Sequence, residues 1–373
     1  MPTAAFIYHD KLSRHVLRET HPMRPTRLRY TYELLSAYGA FSLPNSHLIE
    51  PRAASVDELS LIHDQEYISA VESISKGERK YSPTRYNFDP DGDNPPYDGM
   101  YEASILSSGA SVVAAEAVLK GTVDTALNVS GGLHHAARSW ASGFCIFNDP
   151  AVIIAAMVED GLRVLYVDID AHHGDGVQNA FYTSNRVLTI SFHESGRYLF
   201  PGTGDARETG EGEGQGYSVN IPLLPYTTDE VYLLAFEQIV PPLIHGFKPD
   251  VVVAQLGVDG HFMDPLAHLN LTSQAYTTMV SRLLELSPKL VCVGGGGYSM
   301  DAVPRVWALE YGVLLGVDWP NEIPASYQEQ YGIRKLRDEM PPEVDQEVLT
   351  QARRFASEGV ETVQRRVFQF HGL

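Results

Sequence analysis

Short apolar runs separated by longer amphipathic stretches constrain this chain more than any other feature of it. The runs are Ala5 to Tyr8, Thr125 to Val129, Arg163 to Ile169, Val187 to Phe192, Asp250 to Leu256 and Lys289 to Val293. They are rich in Val, Ile and Leu without polar alternation, the pattern of strands buried on both faces. Between them lie Pro25 to Tyr38, Asp98 to Leu119, Asp149 to Asp160, Thr228 to Ile244, Thr272 to Leu286 and Pro342 to Val367, with apolar residues at helical spacing. Strands alternating with helices predict an α/β, three-layer αβα fold around a mainly parallel sheet. One domain over residues 1–373 is expected, because doubly wound sheets outgrow the usual domain size when their loops are long.

Composition narrows the function. The chain is 44% hydrophobic, and 28 Lys+Arg against 47 Asp+Glu give a net charge of −19. Such a sequence buries a large core, and no apolar run approaches the roughly 18–20 residues of a membrane span. Met1 to Asp10 lacks the basic region and long apolar core of an export signal. With only Cys145 and Cys292, no disulfide framework is expected and a reducing cytoplasm is the natural compartment. The acidic balance argues against a nucleic-acid partner and favours cationic ligands. Two long loops, Lys76 to Gly99 and Gly196 to Gly216, are too long to be idle connections in a compact fold.

The chemistry concentrates where strands end. Arg163 to Val177 reads RVLYVDIDAHHGDGV. Extended geometry sends alternate residues to one side, so Asp168, Asp170 and His172 project together into the crevice beyond the strand, where open α/β sheets bind ligands. Carboxylates gathered at a buried strand end repel one another and lose hydration, so a divalent cation is expected between them. After Val251 to Leu256 comes GVDGHFMDPLAHLNLT, in which Asp259, His261 and Asp264 are each able to complete the site. SGGLHHAARSWASGFCIFND from Ser130 places His134 and His135 after a flexible glycine pair, suited to acid–base work. Gly294 to Gly297 leads to Tyr298, and the tetraglycine lets the backbone deliver a phenol to the same crevice.

In this order the motifs resemble the histone deacetylase family, in particular its bacterial acetoin-utilisation branch. The resemblance is carried by HPMRPTRLRY, GGLHH, GFCIFND, YVDIDAHHGDGV, ISFHE, FPGTGD, YSVN, DPLAHLNLT and GGGGY. It implies the arginase/deacetylase fold, with a sheet of about eight strands, and zinc-dependent amide hydrolysis. By resemblance the metal ligands fall on Asp170, His172 and Asp264, which sets Asp259 and His261 aside. His134 and His135 take Asp168 and Asp175 as their respective partners, and Tyr298 is the transition-state phenol. A structural potassium ion is implied at Asp168, Asp170, His172, Ser191 and Phe192. Substrate contacts are implied at Asp93 on the rim, Gly143, Phe144, Phe200 and Gly296 in the channel and its inner cavity, and Leu271 at the mouth. The sequence departs from the family at LAHLN, where relatives of the nuclear enzymes usually have a Gly and a Cys.

These residues make a coherent apparatus. Two Asp and one His leave an open coordination position, as a catalytic metal requires, and Zn2+, Fe2+ or Co2+ suits that donor set. His135 is the expected general base, Asp175 its orienting partner, and His134 an electrostatic element. Phe144 and Phe200 would wall a narrow channel suited to the stem of an acetylated lysine in a protein or peptide. Acetylated small amines such as acetylpolyamines are the alternative substrates. A two-manganese guanidine hydrolase of the same fold and a non-catalytic acyl-lysine binder are the competing readings.

Overall fold

The computed structural model describes residues 2–340 and 343–373. Its centre is one sheet of eight parallel strands: β1 (Ala4–Ile7), β2 (Ser46–Ile49), β3 (Thr125–Asn128), β4 (Val164–Asp168), β5 (Val187–Glu194), β6 (Ser218–Leu223), β7 (Val251–Gln255) and β8 (Leu290–Val293). The spatial order is β2-β1-β3-β8-β7-β4-β5-β6, and every pairing is parallel. Helices cover both faces: α1 (Thr26–Ala37), α2 (Val56–Leu59), α3 (Gln65–Ser75), α4 (Met100–Leu119), α5 (Asp149–Glu159), α6 (Asp175–Phe181), α7 (Asp229–Phe247), α8 (Ser273–Leu286), α9 (Ala302–Leu315), α10 (Ala325–Tyr331) and α11 (Gln346–Val367).

The six apolar runs correspond to β1, β3, β4, β5, β7 and β8, whose residues are all buried. The other two strands lie at the sheet's edges. On β2 the residues His47 and Leu48 are exposed, and β6 carries Asn220 and Pro222, so neither reads as an uninterrupted apolar run. Helix α9 also escaped the periodicity test because nearly its whole circumference is buried, which leaves no polar face to alternate with. Helix α4 is long and apolar enough to cross a membrane by length and composition, contrary to the expectation from sequence. It packs against β1, β3 and β8, which accounts for its apolar length. The start of the expected helix at Pro342 lies outside the described residues; from Gln346 the helix is present.

The sheet's register positions the chemistry. Asn128 of β3 pairs with Val293 of β8, Val293 with Gln255 of β7, and Gln255 with Asp168 of β4. Four neighbouring strands therefore end in one row, and all four site segments leave from that row side by side.

At the far edge, α11 covers β6 and packs on α7. Val360, Val363 and Val367 are buried on one face of this otherwise charged helix. Replacing Val363 by Asp puts a carboxyl group into that seam, and the expected loss is about 3 kcal/mol of unfolding free energy. Urea denaturation of the full chain measures it.

Candidate metal and acid–base centre

The segment after β3 is shaped by polar groups it does not itself carry. Gly132 lies at φ +83°, and a Cβ there would run into the Gly294 carbonyl. The fully buried Asp149 carboxylate accepts the N–H groups of Gly132 (3.0 Å) and Leu133 (2.9 Å) and the Ser111 hydroxyl (2.5 Å). Asn148 donates through Nδ2 to the carbonyls of His134 (3.1 Å) and Ala136 (3.0 Å). The ND of GFCIFND thus fixes the backbone of the histidine pair, a role the sequence offered no specific signal for.

Each histidine leans on one carboxylate. His134 Nδ1 is 2.7 Å from Asp168 Oδ2, and His135 Nδ1 is 2.7 Å from Asp175 Oδ1. Tyr166 also donates its hydroxyl to Asp168 at 2.7 Å. The two Nε2 atoms converge to 3.0 Å, so one carries a proton and the other accepts it. Their surroundings decide which. Burial lowers the affinity of His134 for a proton, but Asp168 and Asp170 outweigh it and raise its pKa to about 9. Burial, and then the neighbouring His134, lower His135 to about 4. His134 is accordingly the imidazolium and His135 the neutral base.

Beyond β4 the extended chain brings Asp170 and His172 to the same crevice. Asp170 Oδ2 accepts Gln255 Nε2 and the Gly296 N–H, each at 2.7 Å, while His172 Nδ1 lies 3.1 Å from Asp170 Oδ1. The group that joins them is Asp259, whose Oδ2 is 2.8 Å from His172 Nδ1 and whose Oδ1 accepts the Ala171 N–H at 2.7 Å. Asp170, His172 and Asp259 each offer a ligand atom, all within 4.8 Å of one another. Burial and the adjacent Asp170 push the Asp259 carboxyl up to about 7.

Asp264 is therefore not the third donor of this group, and the expectation from sequence is corrected. Asp259 is the first carboxylate after β7 and is fully buried, whereas Asp264 follows another turn of chain. Its Oδ1 accepts the Leu266 N–H at 2.9 Å and its Oδ2 the Tyr298 N–H at 2.8 Å. His261 turns elsewhere, to Asp338 at 2.9 Å. Gly257 and Gly296 border the site because a Cβ on either would strike the Asp170 or Asp259 carboxylate.

Tyr298 faces Phe144 edge-on, with ring centroids 5.8 Å apart. Phe200 lies edge-on to His135 at 5.0 Å and 6.5 Å from His172. A Cβ at Gly143 would press on both His135 and Phe200, so the glycine keeps the passage between them open. Behind Phe144 is a cavity of about 60 Å³ lined in part by Met23, Arg27, Leu133 and Ile146. Burial, then Asp259 and Asp170, raise the Tyr298 phenol well above its ordinary value, so it remains a donor. Asp93 is exposed on its loop, and its carbonyl is bonded to His21, whose ring packs on Phe144. Leu271 is fully buried in the main core, which corrects its expected place at a channel mouth. Ser191 of β5 is the register partner of Asp168, with Phe192 next to it.

Residues 21–314 match the family model of the histone deacetylase domain. The acetoin utilization protein AcuC of Bacillus subtilis (strain 168) is 41% identical over 334 residues, covering 88% of this chain and 86% of that protein. Histone deacetylase 1 of Homo sapiens is 39% identical over 329 residues, covering 88% of this chain and 68% of its own length. The crystal structure of an HDAC homolog from Aquifex aeolicus matches with a TM-score of 0.87 at 32% identity, covering 97% of this chain and 100% of that one. An HDAC homolog complexed with SAHA gives the same TM-score of 0.87 at 31% identity, covering 98% and 100%.

The unequal histidines have a direct readout. In chelator-treated protein, nitrogen chemical shifts should show His134 doubly protonated up to a pH of about 9, and His135 singly protonated down to about 4. Asp168→Asn, which removes the charge that outweighs burial, should bring the His134 transition down.

Proposed function

The chain belongs to the histone deacetylase family and carries the arginase/deacetylase fold, and from that premise we propose that it hydrolyses the amide of N-acetylated lysine side chains in proteins or peptides. The observation that carries this reading is the arrangement of three metal-type donors around one point, with a neutral imidazole, an imidazolium and a phenol beside them.

Asp170, His172 and Asp259 would hold a divalent ion, zinc by family habit and Fe2+ or Co2+ by donor chemistry. The fit rests on two buried carboxylates brought together, Asp259 being pushed up by its burial and by the charge of Asp170. When bound, such an ion supplies Lewis-acid polarisation of the carbonyl and acidifies water. The rest is the work of the chain's own groups. His135, held by Asp175, takes the proton of the attacking water and returns it to the leaving amine. His134, held by Asp168 and facing His135, stabilises the negative charge that develops beside it. Tyr298 donates its hydroxyl to the oxygen that becomes anionic. Phe144 and Phe200, separated at Gly143, form the walls along which an uncharged acyl-lysine stem would pass, with Gly296 at the floor and Asp93 at the rim. Asp168 and Ser191, adjacent on paired strands, would hold a structural potassium ion with carbonyls at Asp170, His172 and Phe192.

Leu271 no longer bears on substrate choice. The exposed Asp93 is able to accept N–H groups of a peptide backbone, as the resemblance implies, and equally an ammonium group of an acetylpolyamine, so the choice between the two falls to assay. We also read residues 1–373 as a single deacetylase domain, since α11, beyond the matched region, packs on the edge of the same sheet.

The test is a panel of acetyl-lysine peptides, longer acyl-peptides and acetylpolyamines assayed with chelator and metal add-back. Metal-restored release of acetate from the peptides is expected, and its absence from every substrate would leave an acyl-lysine binder. Tyr298→Phe should lower kcat by about 100-fold or more with KM nearly unchanged, the signature of a donor acting mainly in the transition state. Asp259→Ala should lose the metal, by elemental analysis, along with activity.

A further inference from the structure

The LAHLN departure from the family pattern sits in a segment to which the proposed reaction assigns no work. It begins at Asp264, a carboxylate the donor group leaves free for another task. Asp264 divides its two oxygens. Oδ1 accepts the N–H groups of Leu266 (2.9 Å) and Ala267 (3.4 Å), turning the chain back, while Oδ2 accepts the N–H of Tyr298 at 2.8 Å.

That last bond matters because of what precedes Tyr298. Gly295 and Gly297 lie at φ +156° and +124°, a region side chains rarely adopt, and the tetraglycine has no side chains by which packing could hold it. Its position is set by bonds from outside. Gly294 donates to the Asn128 carbonyl (2.8 Å), Gly296 donates to Asp170 (2.7 Å) and accepts from Val258 (2.9 Å), and Arg27 donates to the carbonyls of Gly295 (2.7 Å) and Gly297 (2.6 Å). Asp264 supplies the next bond in the series, and the only side-chain contact of this kind made at Tyr298 itself among the described residues.

The segment that carries Asp264 is anchored at its other end. His268 places its backbone N–H (2.7 Å) and Nδ1 (3.0 Å) on the Glu194 carboxylate, which is buried at the end of β5. Tyr226 donates to the His268 carbonyl at 2.7 Å, and Asn270 donates to Thr227 at 2.9 Å. The sheet therefore holds Glu194, Glu194 holds the loop, and the loop holds the backbone of the phenol.

We propose that Asp264 is a positioning residue: by fixing the Tyr298 N–H it sets the location of the phenol that meets the developing oxyanion. This rests on the reading of Tyr298 given under Proposed function. A carboxylate forms a stronger and shorter bond to an N–H than a neutral acceptor does. Misplacement of a reacting group by about 1 Å costs on the order of 100-fold in rate.

The experiment is a double-mutant cycle between Asp264 and Tyr298 in the metal-loaded full chain, with an acetyl-lysine peptide as substrate. Asp264→Ala should lower kcat by about 10- to 100-fold, leave KM within about 2-fold, and leave the metal content per chain unchanged. Tyr298→Phe, costly in the native background, should cost less than about 3-fold when added to Asp264→Ala, because the phenol is already out of place. Asp264→Asn retains an acceptor oxygen and should stay within about 5-fold of the native rate. Should the alanine variant not fold, Asp264→Ser, whose shorter side chain lacks the second acceptor oxygen, takes its place in the cycle. Loss of metal from the Asp264 variants would make it a ligand and overturn the proposal. So would additive losses in the cycle. If the native chain shows no metal-dependent deacetylation, the reading of the site fails; an active native chain with additive losses defeats the positioning role alone.

Discussion

Four neighbouring parallel strands, β3, β8, β7 and β4, stop in the same row, and the chemical groups of this protein come from the residues that immediately follow. Parallel pairing makes this possible, because every strand of such a sheet presents its carboxyl end on the same side. The register then does the arranging. Asp168 closes β4 beside Gln255, Gln255 lies beside Val293, and the histidine segment and tetraglycine leave from the flanking strands. Gln255, which carries no reaction chemistry, donates to Asp170 and so ties the end of β7 to the donor group. An insertion within any of these strands would displace one participant by a full residue while leaving its sequence motif intact.

Much of this was legible in the sequence because central strands announce themselves. Six apolar runs, five of them followed directly by Gly, Asp or His and the sixth by Ser130 and Gly131, mark the sheet and the addresses of the site segments. The edge strands were not legible: β2 is half exposed, and β6 carries Asn220 and Pro222, so burial did not write a continuous apolar pattern into either. Asp259 illustrates a different failure. Three candidates shared one loop, and spacing along the chain could not say which side chain turned inward. A neglected clue is proximity. Asp259 follows the strand end by four residues, while Asp264 needs a further turn of irregular chain to return. Leu271 failed for the same reason, since a residue on an irregular segment can be buried as readily as displayed, and only the β-bridge to His261 decides it.

Charge explains why the centre needs so many supporting groups. Asp168, Asp170, Asp175 and Asp259 are close together, and all but Asp175 are fully buried. Four carboxylates in a poorly hydrated space are untenable without positive partners. His134, raised by Asp168 and Asp170, supplies one charge. Arg27 supplies another: its guanidinium is buried, stacks on Trp307 at 5.1 Å and bonds to two carbonyls of the tetraglycine. A dication and a potassium ion held as proposed would supply the rest.

That balance also bears on the two histidines. Were both imidazoles charged, their Nε2 atoms could not remain 3.0 Å apart, since each would present a proton to the other. Were both neutral, Asp170 would lose the counter-charge that favours its ionised form in a buried space. A single shared proton meets both demands. The asymmetry lies in the charges around the pair: Asp168 and Asp170 both lie against His134, whereas Asp175 is the one carboxylate bonded to His135, which in turn faces the charged His134. Burial of His135 and the charge on its neighbour make it the weaker base of the two, so the asymmetry comes from the surroundings of the rings rather than from the histidines themselves.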